Sequence, residues 1–558
     1  MSSPVKSSRI GESVRRKEDL RLISGKGRFS DDVNFPGQAY AVMLRSPHAH
    51  ARIRSIDTSK ALSVPGVIKV LTGADLLADG IKPMPHVAQS AHPAEPALDN
   101  PPGFKEFDTP QYPLAIDRVR YVGEAVAVIV ADTVNHAKDG AELIDVDYDI
   151  LPSVTGTVAA AQPGAPRLWD DSDSNVGLDA EVGDKAATDA AFDRAKHVTR
   201  LETWVQRVTG SPMEPRVAIG EYDPGSNMHS VWAGTGSGVV RERAQLAGTL
   251  DVPYENARAW CKDMGGNFGT RNTFFPEYAL TPFAAKQLKR PVKWVGERNE
   301  CFLTDYQGRD LKVEAEIALD AEGNILAVRG FNISNIGAYA AHFTPLRKGL
   351  GIMQGVYRIP CVHFRGCAVF TNTVPTTPYR SAGRPEAIYV IERLIDLAAD
   401  EHGFDPVVLR RKNFIRPEQM PYTNAVGITY DNGEYEYGMD VALKLADVPG
   451  FAARKAEARK RGKLRGLGIA NYLEGAGGAP RERAEVTIQP EGRTELVLGT
   501  MNSGQGHETS FAQLLNTWLG VPFETVDYVA HDTKRVAAGR SEEHTSELQS
   551  HSFISYAV

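Results

Sequence analysis

Cysteine is scarce in this 558-residue chain, which has only Cys261, Cys301, Cys361 and Cys367. None form a CxxC pair, and the last two are too widely spaced for a zinc ribbon or a ferredoxin-type loop. An iron–sulfur cluster or structural zinc inside the chain is not expected, and the thiols are expected to be reduced and mostly buried. Long apolar runs are missing as well. The longest, "EAVAVIVA", is too short to span a bilayer and reads as a buried strand. The opening "MSSPVKSSRIGESVRRKEDLRL" has Arg15 and Arg16 but no apolar segment after them, so it fits neither a Sec nor a twin-arginine signal. The expectation is a cytoplasmic protein with no membrane partner. Nor is there a basic excess: net charge is −7 with both signs interspersed, which argues against nucleic acid as a partner. No Ser-His-Asp order, HExxH or EF-hand loop occurs, and the 14 histidines are scattered.

What is present is an ordinary globular composition, 42% hydrophobic and 24% charged, in a chain long enough for several cores. "GEAVAVIVA" predicts a buried strand, and "HAKDGAELIDVDYDIL" a helix followed by a strand. The Pro-rich "KPMPHVAQSAHPAEPALDNPPGF" is too irregular for an element and is expected on the surface. "LPSVTGTVAAAQPGAPRLWDDSDSNVGLD" reads as an inter-domain linker. "PEAIYVIERLIDLAADEHG" predicts a helix: Pro385 suits its first position, Ile388, Ile391, Leu394, Ile395 and Ala398 form the buried stripe, and Gly403 stops it. "AEVTIQP" and "TELVLGT" read as strands. The class is mixed α and β without regular βαβ alternation.

Three glycine-rich stretches carry the candidate chemistry. In "MNSGQGHETSFAQLLNTWLG", Phe511, Leu514, Leu515 and Trp518 fall on one helical stripe and Gly520 ends it. Gly504 and Gly506 allow a close backbone approach just before the helix, where unpaired N–H groups favour a phosphate-like anion. Gln505, His507 and Thr509 surround that end. The alternative is a turn that only caps the helix. In "CKDMGGNFGTRN", Gly265, Gly266 and Gly269 surround Asn267 and Phe268. This is neither a Walker A loop nor a GxGxxG fingerprint, and a structural bulge is equally compatible. In "PYRSAGRPEAIY", Arg380 and Arg384 flank Ser381 before a helix N-terminus. They can meet an anionic ligand or pair with carboxylates of the protein. Glu214, between two prolines in "SPMEPRVAI", is a candidate buried carboxylate.

Taken in order, "GRFSDDVNFPGQAYAVMLRSPHAHARI", "RYVGEAVAVIVAD", "SPMEPRVAI", "GGNFGTRN", "RPVKWVGERNECFLTDYQGRD", "PYRSAGRPEAIYVIERLIDLAA" and "GQGHETSFAQLLNTWLGV" resemble the molybdopterin-binding large subunit of molybdenum hydroxylases. These are the xanthine dehydrogenases, aldehyde oxidases and aerobic carbon monoxide dehydrogenases. The resemblance runs from about residue 10 to 539. It implies a multi-domain α+β chain: a tail over 1–16, an α/β hammerhead domain over 17–152, a linker over 153–185, and molybdopterin-binding domains over 186–416 and 417–539. It implies that Gly265, Gly266, Asn267, Phe268 and Gly269 lie near the metal, with Arg380 and Ser381 facing its ligands. Gln505, Gly506, His507 and Thr509 would hold the phosphate-bearing end of the pterin, in its cytosine dinucleotide form. No residue of the chain ligates the metal directly. The implied reaction inserts a water-derived oxygen at an electron-poor C–H carbon, and electrons leave through 2Fe–2S and FAD centres on small and medium partner subunits.

Two positions depart from the family pattern. Where members commonly have Gln beside the metal's apical oxygen, "VWAGTGSGVV" has Gly236. Carbon monoxide enzymes carry Cys where this chain has Ser381, a poor ligand for Cu(I), so an N-heterocycle or aldehyde is the expected substrate. A relative that keeps the fold without chemistry is the alternative. The family's catalytic Glu is expected beyond Gly539. From Arg540 the chain reads "RSEEHTSELQSHSFISYAV", which resembles a translated sequencing adapter. It is expected to be an artefactual tail over 540–558, on a chain that is itself inactive.

Overall fold

The computed structural model describes residues 9–86, 95–474 and 483–539. The stretch expected as an artefactual tail lies outside them, as do residues 87–94 of the Pro-rich segment. Among the described residues no helix is long and apolar enough to cross a membrane.

Two large sheets organise the body. The first has seven strands in the order Ala257–Trp260, Met228–Ala233, Val217–Asp223, Val292–Val295, Ala39–Arg45, Ala125–Ala131 and Val67–Thr72. Ala125–Ala131 is buried along its whole length, as its unbroken apolar run requires. Parallel pairing of Ala39–Ala41 with Val292–Trp294 makes one sheet out of strands more than two hundred residues apart. The second sheet orders Val176–Gly183, Cys361–Phe370, Ile325–Gly337, Gln307–Leu319 and His197–Thr209. A three-stranded sheet, Ala484–Ile488, Thr494–Leu498 and Val526–Val529, belongs to the C-terminal part.

Five helices frame the region of interest: α1 (Val239–Leu250), α2 (Pro276–Leu288), α3 (Thr344–Ile352), α4 (Arg384–His402) and α5 (His507–Leu519). Helix α4 buries Ile388, Ile391, Leu394, Ile395 and Ala398 and ends at Gly403, which adopts φ 76°. Its apolar spacing and its left-handed cap are both as the sequence indicates.

Two expectations need correction. Val176–Gly183, within the stretch read as a linker, is a strand paired with Cys361–Phe370. Leu178 and Ala180 alternate into the core, a period too short to stand out among the Gly and Asp around it. Over its described residues the Pro-rich stretch keeps Lys82, Ala97, Asp99 and Pro101 exposed, as a surface segment does, while Met84 and Leu98, 3% and 6% exposed, anchor it to the core. Its prolines remove helix and sheet partners without removing apolar side chains. Trp518 of α5 is exposed, and the buried face instead runs through Thr509, Ala512, Gln513 and Leu515. The N-terminal segment lies on that polar flank: Gln513 Nε2 donates to the carbonyls of Arg9 and Glu12.

Candidate functional site

The loop after strand Ala257–Trp260 is gripped from behind by Glu214. Its Oε2 accepts from Gly265 N at 2.7 Å and its Oε1 from Ser30 N at 2.9 Å. Burial pushes this carboxyl above its usual range against those hydrogen bonds. A Cβ at Gly265 would run into the Glu214 side chain, which accounts for glycine there. Phe268 adopts φ 59°, a conformation few bulky residues hold without outside support. Three hydrogen bonds supply it. Phe268 O accepts from Arg380 N at 2.9 Å, and Asn267 Oδ1 accepts from Gly269 N and Arg271 N at 3.2 and 3.3 Å. The Phe268 ring stays 40% exposed, presented outward by a fixed backbone.

The facing turn is also left-handed: Ser381, Ala382 and Gly383 have φ 70°, 44° and 95°. Arg309 pins it by donating to the carbonyls of Tyr379 and Arg380 at 2.9 and 3.0 Å while pairing with Glu386 at 2.8 Å. A Cβ at Gly383 would overlap the Pro345 carbonyl of α3, so turn and helix are in direct contact. Of the two arginines, Arg384 is taken up by the buried Glu474. Arg380 is exposed and has no ion-pair partner among the described residues.

Gly236 meets the same loop. Its N–H donates to Arg271 O at 2.9 Å, and a Cβ there would overlap the carboxamides of Asn267 and Asn272. Those two are bonded, Asn267 Nδ2 to Asn272 Oδ1 at 2.8 Å. The space that a side chain at 236 would need is filled by carboxamide from 267. Around this point Arg271 Nε, Asn272 Nδ2, Thr273 Oγ1 and Thr377 Oγ1 are buried without partners. Their residues are at most 2% exposed. Each buried donor left unmet costs about 1–3 kcal/mol, so four in two adjoining segments fit a bound polar group better than a dry core.

The third stretch opens helix α5. Gly504 and Gly506 have φ 116° and 87°, and Asn502 Oδ1 accepts from both N–H groups at 3.1 and 3.3 Å. Gln505 Oε1 folds back onto Ser503 N at 2.6 Å. Burial pushes His507 down to about 4, assisted by His531 and opposed by the Met501 backbone. It is therefore a neutral hydrogen-bonding group near pH 7, with Nδ1 unpartnered. Thr509 differs from expectation. Its hydroxyl donates to Glu18 Oε2 at 2.6 Å and accepts from Lys17 N at 2.7 Å, so it is committed to the N-terminal segment. Glu18, 1% exposed, places the protein's own carboxylate beside the helix N-terminus. Composition could not disclose Glu18, since "RRKEDLR" reads as an ordinary solvated charge run.

Phe268 and Arg380 are thus neighbours, and two ion-pair ties connect the C-terminal part, which carries Gln505, to the foot of their loop. Arg21 bridges Glu508 at 2.6 Å and Asp263, at the foot of the Gly265 loop, at 2.9 Å. Asp532 pairs with Arg258 at 2.6 Å, a second tie between the C-terminal part and the strand feeding that loop. Among the described residues no cluster of His, Cys, Asp or Glu could hold a metal by itself. The four thiols are free.

Comparison with known proteins gives a consistent pattern. Residues 24–152 match the aldehyde oxidase and xanthine dehydrogenase a/b hammerhead domain, and residues 168–414 and 441–544 match molybdopterin cofactor-binding domains. The chain is 34% identical to the carbon monoxide dehydrogenase large chain of Afipia carboxidovorans, over 93% of its own length and 66% of the relative's. It is 32% identical to the nicotine 6-hydroxylase large subunit of Paenarthrobacter nicotinovorans, over 96% and 66%. The solved quinoline 2-oxidoreductase of Pseudomonas putida 86 superposes with a TM-score of 0.87 at 33% identity, over 99% of this chain and 71% of that one. The chain therefore spans 66% of the length of these two curated relatives.

Proposed function

The chain belongs to the molybdopterin cofactor-binding large subunits of the xanthine dehydrogenase, aldehyde oxidase and carbon monoxide dehydrogenase family, and on that premise we propose that it is the substrate-oxidising subunit of a molybdenum hydroxylase. The substrate class is an N-heterocycle or an aldehyde, and water is the oxygen source. Small 2Fe–2S and medium FAD subunits are its partners. The hammerhead domain is placed at 17–152 and the molybdopterin domains at 186–416 and 417–539.

Gly265, Gly266, Asn267, Phe268 and Gly269, with Arg380 and Ser381, are assigned to the metal end of the cofactor. Gln505, Gly506 and His507 are assigned to its phosphate end, in the cytosine dinucleotide form. When bound, the molybdenum centre accepts two electrons from the substrate carbon. The protein's share is to orient and exclude. The left-handed backbones at Phe268 and Ser381–Gly383 hold their loops in one geometry before anything binds. Asn272 Nδ2 and Thr377 Oγ1 are buried donors ready for acceptor oxygens. Phe268 offers an apolar edge to an aromatic substrate. Ser381 in place of a thiolate disfavours a copper-bearing carbon monoxide site.

The observation that carries this reading is the set of four orphaned donors at the junction of the two loops. It is tested by cofactor retention. Purified from a host that makes the cofactor, the chain should hold molybdenum and pterin in equal amounts. Asn272→Leu should lower both at least tenfold in a chain that keeps its wild-type circular dichroism, with a lower melting temperature from the lost Asn267–Asn272 bond. A folded chain that retains neither overturns the reading.

A further inference from the structure

Behind the Ser381–Gly383 turn lies a crevice of about 30 Å3, walled by α3, α4 and the strands Gln307–Leu319 and Ile325–Gly337. That volume takes about two water-sized groups, so it suits a two-oxygen substituent and is too small for an aromatic ring. Its surface is mainly apolar, from residues such as Leu311, Ile336 and Met353. His342 also lines it. This side chain belongs to a residue only 7% exposed, and neither ring nitrogen has a hydrogen-bond partner. A buried imidazole with both nitrogens unmet is costly unless something else completes it.

The surroundings show the sign of what would complete it. Burial, and then Arg241, His86, Arg347 and Lys348, hold the His342 imidazole well below its ordinary range. Arg241, Arg347 and Lys348 bring cationic groups to this side of the crevice, while His86, itself held down to about 4 by burial, is neutral near pH 7. Glu386, which lines the crevice with Arg309, is paired with it at 2.8 Å, and Glu95 nearby is paired with Arg347 at 2.5 Å. The first turn of α3, through Pro345 and Leu346, forms part of the wall, and a helix N-terminus adds to a positive potential.

We propose that this crevice receives an anionic substituent of the substrate, a carboxylate or a group of like size and charge, with His342 as its hydrogen-bonding partner. The substrate class becomes N-heterocycles or aldehydes that bear such a group. The proposal rests on the reading of the chain as the substrate-oxidising subunit.

The test is calorimetric titration of the full chain with pyridine-3-carboxylate, with the isosteric pyridine-3-carboxamide, and with formate. The carboxylate should bind at least tenfold tighter than the amide. Formate should compete with it but bind at least tenfold more weakly, because the ring contributes. His342→Leu should abolish the preference, while His342→Gln, which keeps a donor and an acceptor, should retain part of it, with both melting temperatures checked. Should the Leu variant not fold, the wild-type comparison and the Gln variant decide. Equal binding of carboxylate and amide, or an unchanged preference in a folded Leu variant, overturns the proposal. Formate as tight as the pyridine acid assigns the crevice to free anions and overturns the substrate class. None of these titrations needs the cofactor. Molybdenum and pterin measured on the same samples show separately whether the reading beneath it stands.

Discussion

At the scale of single residues, Gly236 and Asn267 show how one position can decide another. From the sequence Gly236 reads as a lost side chain, a donor missing from the family's pattern. In the fold its place is taken by the Asn267 and Asn272 carboxamides. Gly236→Ala should therefore destabilise the protein by about 1–3 kcal/mol through overpacking, read as a lower denaturation midpoint. The cost should shrink in Gly236→Ala/Asn267→Gly, because the two sites share one space. Full additivity in that double-mutant cycle would show that they do not. Glu214 was visible as a candidate buried carboxylate, but its grip on Gly265 was not. The two lie 51 positions apart, and the contact exists only once both loops are in place.

At the scale of elements, α2 anchors the loop that precedes it. Its first-turn Glu277 is 0% exposed and pairs with Arg216 and, at 2.6 Å, with Arg45. Arg216 also bonds Asp305 at 2.6 Å and lies 4.0 Å from the centre of the Phe275 ring. Burial alone would raise the Glu277 carboxyl, but the two guanidiniums outweigh it and hold it at about 2. A folded-state value below the unfolded one means that this stabilisation is full above about pH 4.5 and fades as pH falls toward 2. Glu277→Gln should cost about 1–3 kcal/mol at pH 7, because each buried guanidinium loses one of its two carboxylates while Asp305 stays with Arg216 and Glu300 with Arg45. It should also flatten the acid limb of the stability curve. An acid limb identical to wild type would remove Glu277 from that role. Helix α4 shows what element-level patterning reveals, since both its stripe and its glycine stop were legible. Helix α5 shows the limit: its length and Gly520 stop followed from the sequence, but Trp518 faces solvent because another segment chose the buried side.

At the scale of the whole molecule, the N-terminal segment fastens the C-terminal part. Glu18, Lys17 and Arg21 meet Thr509, Glu508 and Asp263 across nearly the full length of the chain. Removing the hydroxyl in Thr509→Val leaves the buried Glu18 short of a donor, a loss of about 2 kcal/mol for a charge-assisted bond. The expected outcome is faster amide exchange over residues 9–24 and the start of α5, with the seven-stranded sheet unaffected. Unchanged exchange in both segments would mean that other contacts hold the junction. The exposed ends of the same interface, such as Arg9 with Glu524 at 3.8 Å, should contribute little.

Local pattern along the chain was enough to specify the elements with strong periodicity, the three glycine-rich turns and, through motif order, the family. These are local properties, set by backbone sterics and by the spacing of apolar side chains. It took the packed fold to reveal that Phe268 and Arg380 share a hydrogen bond, that Thr509 serves Glu18, and that strands on either side of the Val176–Gly183 segment build one sheet. Such contacts join residues tens to hundreds of positions apart. No local pattern records which chain segment will cover a given face, because that choice is made by packing the whole.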